Sequence, residues 1–300
     1  MAAIGFIGLG RMGAPMAAHL VKAGHALKVF DLMPEGVARL TGLGAQAAAN
    51  VADAASGVEA VVTMLPAAAE MRAVYLGPDG VLAAAAPGTL FMDCSTLDVA
   101  SAREVAAEAE KAGMLMVDAP VSGGVGGAEA GTLTFMVGGG ADAFAKAEPV
   151  LSAMGKAVVH AGGSGNGQAA KICNNMILGI SMIAVSEAFV LAETLGLDKQ
   201  KLFDISSRAS GQCWSLTTYC PVPGPVPSSP ANRDYAPGFT AAMMLKDLCL
   251  AQDAARAGGA ATPLGAEAAE IYRQFAEGGG GATDFSGIVN FLREQKSATS

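Results

Sequence analysis

The spacing of apolar positions changes character a little past the middle of the chain. Through residue 160, short apolar runs alternate with stretches of helical period, and the runs at 4–7, 27–30, 60–65, 89–94, 114–118, 133–137 and 157–160 read as strands. Helical spacing fills the intervals at 34–43, 50–55, 68–75, 99–111 and 141–153, with a further helical piece ending near Pro87. This alternation predicts a parallel, doubly wound α/β sheet that takes ligands outside the carboxyl ends of its strands. Dense glycines at 162–167 end the pattern. Beyond them the period is helical only, at 168–195, 199–208, 241–258, 263–277 and 288–296, which predicts an all-helical second domain. The division falls at 1–164 and 165–300, with a long interdomain helix near 168–195. Pro223, Pro225, Pro227 and Pro230 mark an ordered loop or wall within the second domain. Ser286 is expected to cap the last helix.

The first strand, turn and helix carry the most specific signal. Gly8, Leu9, Gly10, Arg11, Met12 and Gly13 form a G-x-G-x-x-G turn after an apolar run and before a helical segment, and Asp31 ends the following strand. That order is a dinucleotide-binding unit of Rossmann type. Gly8 permits the tight turn, Gly10 lets the backbone approach the pyrophosphate, and Gly13 lets the helix lie close to its strand. Asp31 bears on the cofactor, because a carboxylate there accepts the adenosine-ribose hydroxyls and repels a 2′-phosphate; NAD is favoured over NADP. Taken alone, the stretch also admits FAD or a nucleoside-diphosphate sugar. The strand ends at Leu65-Pro66 and at Ser95-Thr96 fall on the same edge as Gly8.

Composition narrows the partners. A chain that is 52% hydrophobic but 5% aromatic, with 39 glycines and 15 methionines, suits closely packed helices and turns. Its net charge of −8, without a basic block, disfavours nucleic acid, whose phosphates need clustered Lys and Arg. Cys94, Cys173, Cys213, Cys220 and Cys249 lack metal-ligand spacing and histidines are few, so reduced thiols, a cytoplasmic setting and no metal site are expected. The start lacks the basic leader of a signal peptide. Residues 172–191 are apolar, yet Asn174, Asn175, Ser181, Ser186 and Glu187 interrupt them, so a buried helix is expected in place of a membrane span.

Three further segments offer chemistry. In Asp-Ala-Pro-Val-Ser-Gly-Gly-Val-Gly-Gly at 118–127, Ser122 supplies a hydroxyl while Gly123 and Gly124 expose backbone N–H groups suited to a carboxylate; a plain flexible loop is the other reading. Lys171 and Asn175 share one face of a strongly apolar helix, where a lysine either reaches solvent or serves an interface. As a free amine it can act as a general base, with Asn175 orienting the substrate. Lys246 and Asp247 lie on another amphipathic helix, as a surface ion pair or as a cofactor-contacting lysine with its anchoring acid.

Together these segments resemble the β-hydroxyacid dehydrogenase family, and within it the 3-hydroxyisobutyrate branch of valine degradation. The likeness is carried by GFIGLGRMG at 5–13, DAPVSGG at 118–124, GQAAKICNN at 167–175, MLKDL at 244–248 and SGQCWSLTTYCPVPG at 210–224, although Cys220 stands where that branch usually has asparagine. The resemblance implies that Leu65, Pro66, Thr96 and Lys246 join the glycine turn around NAD. It also implies that Ser122, Gly123, Gly124 and Asn175 bind a small 3-hydroxy acid and that Lys171 is the catalytic residue. (S)-3-Hydroxyisobutyrate would then be oxidised to methylmalonate semialdehyde. L-Serine or another 3-hydroxy acid is the alternative substrate, with Trp214 and Phe239 as apolar walls that would favour the methyl group. The same scaffold would also suit an imine or semialdehyde reductase, or a non-catalytic NAD sensor. A homodimer or homotetramer is expected from the apolar helix and the methionine-rich second half.

Overall fold

The computed structural model describes residues 1–298, and their contacts divide the chain into one unit at Met1–Lys171 and a second that begins at Ile172. In the first unit the elements run β1 (Ala3–Ile7), α1 (Gly13–Lys22), β2 (Ala26–Phe30), α2 (Pro34–Thr41), β3 (Gln46–Ala47), α3 (Val51–Ala55), β4 (Ala60–Thr63), α4 (Ala68–Leu76), α5 (Val81–Ala84), β5 (Leu90–Asp93), α6 (Val99–Lys111) and β6 (Leu115–Asp118). They continue as β7 (Val121–Ser122), α7 (Gly124–Ala130), β8 (Leu133–Gly138), α8 (Ala141–Ser152), β9 (Gly155–Gly162) and the start of α9 (Asn166–Thr194).

The strand order is β3-β2-β1-β4-β5-β6-β8-β7, with β9 on β8. From β3 to β6 all pairings are parallel, as the alternating pattern requires. Past β6 the expectation of a wholly parallel sheet fails: β8 runs antiparallel to both β6 and β7. Strands β6 and β7, separated by two residues, both run one way, and the chain returns between them as β8 after α7.

Strand side chains alternate between two cores, as period two dictates. Ile4, Phe6, Val62 and Met92 face one core, closed by Met16 and Leu20 of α1, Leu40 of α2 and Leu151 of α8. Ile7, Val61, Phe91 and Met116 face the other, closed by Met71 and Tyr75 of α4 and Val105 of α6. Both faces are therefore covered, and the ends of the strands are left to bind ligand. Helix starts carry the expected side-chain caps where the sequence supplies them: Asn50 accepts from the Asp53 N–H and Asp98 from the Ser101 N–H.

The second unit holds the remainder of α9, then α10 (Lys199–Ser206), α11 (Trp214–Thr217), α12 (Ala241–Gly258), α13 (Pro263–Glu277) and α14 (Ile288–Ala298). Helix α9 is apolar and long enough to cross a membrane by length and composition. Its side chains feed two apolar clusters of this unit, Met182 and Ile183 with Met244, Leu248 and Tyr272, and Val185 and Phe189 with Leu216 and Val222. The proline-rich segment is ordered: the Ser229 hydroxyl donates to the Cys220 carbonyl at 2.6 Å and the Tyr235 hydroxyl to the Pro221 carbonyl at 2.9 Å. Ser286 does not cap the last helix. Asp284 accepts from the Ser286 N–H and hydroxyl and opens a short 3-10 turn, Phe285–Gly287, that leads into α14.

Candidate active site

In the first unit the glycine turn lies at the carboxyl end of β1. Gly8 adopts φ +94°, which its missing side chain permits, and a Cβ there would lie 2.3 Å from the Met64 carbonyl oxygen. Gly13 is pressed against the same turn, with a hypothetical Cβ 1.9 Å from the Gly8 carbonyl oxygen. Gly10 differs: it is exposed, and nothing lies within 4 Å of the position a Cβ would take. Such a turn, tight behind and open in front, fits a pyrophosphate against the backbone at the start of α1. Leu9 is buried beneath the turn, whereas Arg11 is exposed and Met12 half-buried at its rim.

Asp31 follows β2 and holds that turn. Its Oδ2 accepts from the Leu9 N–H at 2.5 Å and its Oδ1 from the Met33 N–H at 2.7 Å. The acid thus sets the shape of the glycine turn as well as the charge that a ribose would meet.

Two neighbouring strand ends are tied together by a buried network. The Leu65 N–H donates to Ser95 Oγ at 2.8 Å, and that hydroxyl donates to Asp93 Oδ1 at 2.6 Å. Thr63 Oγ1 also donates to Asp93 Oδ1, at 2.7 Å, so the Tyr75 hydroxyl, 2.9 Å from Thr63 Oγ1, must be the donor in their pair. Burial pushes the Asp93 carboxyl up, while the bonds from Ser95 and Thr63 act against it. Its second oxygen, Oδ2, has no hydrogen-bond partner among the described residues. Leu65 and Thr96 are therefore carried on turns fastened to one another, with Pro66 exposed beside them.

The segment 118–127 is not a flexible loop. Asp118 ends β6, Val121 and Ser122 pair with β8, and Gly123 at φ +135° turns the chain into α7, which Gly124 opens. Asp118 is turned inward: Oδ1 accepts from the Gly165 N–H at 2.7 Å and Oδ2 from the Gln168 N–H at 2.8 Å, at the start of α9. Burial raises its carboxyl to about 6, against those two backbone bonds. Lys171, one turn further along α9, is 8% exposed, so the reading in which it reaches out to solvent does not hold.

In the second unit Asn175 is 2% exposed and its Nδ2 donates to Asp247 Oδ2 at 2.5 Å. Lys246 Nζ lies 3.4 Å from Asp247 Oδ1, close enough for an ion pair though not a formed hydrogen bond. The surface ion pair expected from sequence is thereby corrected, because Asp247 is buried and only Lys246 reaches solvent. Trp214, 48% exposed, stacks on Tyr219 at 4.8 Å; Tyr219 stacks on Phe285, and Phe239 meets Phe285 edge-on. Trp214 and Phe239 thus belong to one aromatic row. Asp284 fastens it from behind, accepting from the Tyr219 hydroxyl and the Gly238 and Phe239 N–H groups.

Within the first unit the structure thus gathers Gly8 to Gly13, Asp31, Leu65, Pro66 and Thr96 on the strand ends, and within the second it joins Asn175, Lys246 and Asp247. Asp93, Gln168 and the inward role of Asp118 are not foreseen from sequence. A polar Gln168 at the head of an apolar helix is the one signal that could have marked them.

Two family models cover most of the chain. The NAD binding domain of 6-phosphogluconate dehydrogenase matches residues 3–163, and the NAD-binding domain of NADP-dependent 3-hydroxyisobutyrate dehydrogenase matches residues 165–292. The chain is 51% identical to a probable 3-hydroxyisobutyrate dehydrogenase of Mycobacterium tuberculosis, over 99% of this chain and 100% of the relative. It is 50% identical to an NAD-dependent L-serine dehydrogenase of Pseudomonas aeruginosa, over 95% and 96% of the two chains. A solved structure of a Mycobacterium tuberculosis 3-hydroxyisobutyrate dehydrogenase with L-serine is similar at a TM-score of 0.93 and 52% identity, covering 98% of this chain and 99% of that one.

Proposed function

The chain belongs to the 3-hydroxyisobutyrate dehydrogenase family and uses NAD, and from that premise we propose that it oxidises (S)-3-hydroxyisobutyrate to methylmalonate semialdehyde with Lys171 as the proton-transfer group. The observation that carries the reading is the burial of Lys171 on an apolar helix whose first turn is fastened to the strand ends. A buried amine one turn beyond that fastening is placed to exchange a proton with a substrate hydroxyl. When bound, NAD accepts the hydride that leaves C3 of the substrate. Lys171 takes the hydroxyl proton as the carbonyl forms, and in reverse returns it. Ser122, the backbone N–H groups of Gly123 and Gly124, and Asn175 bind and orient the hydroxy acid. Asp247 holds Asn175 in place and pairs with Lys246, and Lys246 is assigned to cofactor binding. Gly8 to Gly13 hold the pyrophosphate, Asp31 the adenosine ribose, and Leu65, Pro66 and Thr96 the remainder of NAD.

L-Serine is the second reading, favoured by the 50% identity to an enzyme named for it. The two substrates differ at one substituent, a methyl against an ammonium. The aromatic row of Trp214 and Phe239 supports the methyl, because it offers apolar surface and the Asp284 carboxylate behind it is fully buried and already accepts from the Tyr219 hydroxyl and the Gly238 and Phe239 N–H groups. The deciding experiment follows NADH formation with (S)-3-hydroxyisobutyrate, its R enantiomer, L-serine and glycerate, each with NAD and with NADP. A much higher kcat/KM for the S acid with NAD supports the proposal, and a preference for L-serine overturns its substrate while leaving Lys171 in place. Exposed Ile177 and Leu191 on α9, with Leu195 just past its end, support a homodimer or homotetramer, and five free thiols support a cytoplasmic setting.

A further inference from the structure

Gln168 takes no part in the chemistry above, yet it is fully buried and both ends of its side-chain amide are engaged. Nε2 donates to the Ser95 carbonyl at 2.8 Å, and Oε1 accepts from the Leu97 N–H at 3.0 Å. That is the pairing a neighbouring strand would offer, one donor and one acceptor to alternate residues of extended chain. The amide therefore brackets Thr96. The backbone of Gln168 is held as well, since its N–H donates to Asp118 Oδ2, and the preceding residue cannot shift: a Cβ on Gly167 would lie 2.4 Å from the carbonyl oxygens of both Asp118 and Met136. Lys171 follows on the next turn of the same helix, and neighbouring turns move as one body because each is bonded to the last.

We propose that Gln168 is a positioning residue: its amide locks the Lys171 turn of α9 in register with the Ser95–Leu97 turn, so that the proton-accepting amine and the cofactor-binding turn keep a fixed separation. The inference rests on the reading of Lys171 as the proton-transfer group. It is distinct from a role in holding NAD, because Gln168 is turned into the backbone of 95–97.

The test is a double-mutant cycle of Gln168→Ala and Lys171→Ala in the full chain, read by kcat for the preferred hydroxy acid and by NADH affinity from fluorescence titration without substrate. Gln168→Ala alone should lower kcat by ~10–100-fold, the scale of an ångström-sized misplacement, with NADH affinity within about threefold of wild type. Deuteration of the substrate at C3 should slow the variant more than the wild type, as hydride transfer becomes limiting. In the Lys171→Ala background the further loss should shrink to less than about twofold, because there is no amine left to misplace. An unchanged kcat, an NADH affinity that falls by the same factor as kcat, or an equal loss in both backgrounds would overturn the inference. Should Gln168→Ala not bind NADH at all, Gln168→Glu decides by the same readings, since it keeps the acceptor for Leu97 and loses the donor to Ser95. Wild-type turnover by Lys171→Ala alone would sink the lysine reading itself, whereas a disabled Lys171→Ala with an additive cycle removes only the role of Gln168.

Discussion

Gly10 and Gly13 belong to one motif but should fail for opposite reasons. An alanine at 13 would place its Cβ 1.9 Å from the Gly8 carbonyl oxygen and 3.2 Å from Phe6 Cε1, where real Cβ atoms keep at least about 3.0 Å. Helix α1 would have to retreat from β1 by roughly 1 Å, an overpacking that costs ~1–3 kcal/mol. At ~2–4 °C per kcal/mol for a chain of this size class, the apo Tm should fall by about 2–12 °C. An alanine at 10 meets no atom within 4 Å and needs no positive φ. Its effect on the apo protein should stay within about 1 kcal/mol, of either sign. Its methyl instead occupies the open space that the pyrophosphate needs, so NADH affinity should weaken by ~10–100-fold, or ~1.4–2.8 kcal/mol. Calorimetry of the apo protein and fluorescence titration with NADH separate the two. Wild-type NADH affinity in Gly10→Ala would remove the pyrophosphate from that turn, and an equal fall in Tm for both variants would refute the geometric distinction.

Lys171→Ala should lower kcat by ~10²–10⁴-fold while leaving NADH affinity nearly intact, and an equal loss in both would reassign the lysine to cofactor binding. Asp31→Ala should raise the NADP to NAD ratio of kcat/KM and lower NAD affinity, since the carboxylate both repels a 2′-phosphate and holds the Leu9 N–H; a ratio that stays put in the coupled assay counts against it. Asp247→Ala removes a charge-assisted partner of Asn175, worth ~1.5–3 kcal/mol, and should cost about 10–100-fold in kcat/KM for the hydroxy acid. Retention of kcat/KM would mean that Asn175 does not orient substrate. For Asp118 the folded carboxyl, at about 6, lies above the ordinary 3.8, so its contribution to stability is full below pH ~4 and fades as pH rises through 6. Between pH 4.5 and 7.5 the wild type should lose ~2 kcal/mol relative to Asp118→Asn, in denaturant titrations at the two pH values; a difference that does not change with pH refutes the assignment.

Periodicity located the long elements because burial on one face is written into consecutive residues. Helices α6, α12 and α13 fall where the period places them, each with a side-chain cap or proline at its start. The two-residue strands β3 and β7 left no such trace, since period two cannot be read from a pair of residues. The antiparallel reversal was hidden for another reason: it depends on which strands pair, and the apolar spacing within β6 and β8 is the same whichever way they run. A Gly-rich run that reads as a loop becomes helix α7 because Gly123 turns the chain at its start and Ala128 seals it against the core. The burial of Asp247 also lay beyond a sequence view, because it depends on a partner, Asn175, 72 residues away.

The glycine turn, Asp31 and Lys171 stood out in the sequence for a different reason from the helices: each expected contact is with a ligand, and ligand chemistry restricts the residue type at that one position. Asp93 and Gln168 face the protein instead. Gln168 bonds to backbone atoms 71 and 73 residues earlier in the chain, and backbone offers the same N–H and C=O whatever its sequence. A residue that recognises backbone therefore leaves no matching partner to find, however much depends on it. This asymmetry explains why the groups that meet a ligand can be picked out of a sequence while those that hold them apart cannot. What the structure shows of such residues is their bonds: Gln168, Asp118 and Asp93 fasten the strand ends and the first turn of α9 through buried amide and carboxylate hydrogen bonds.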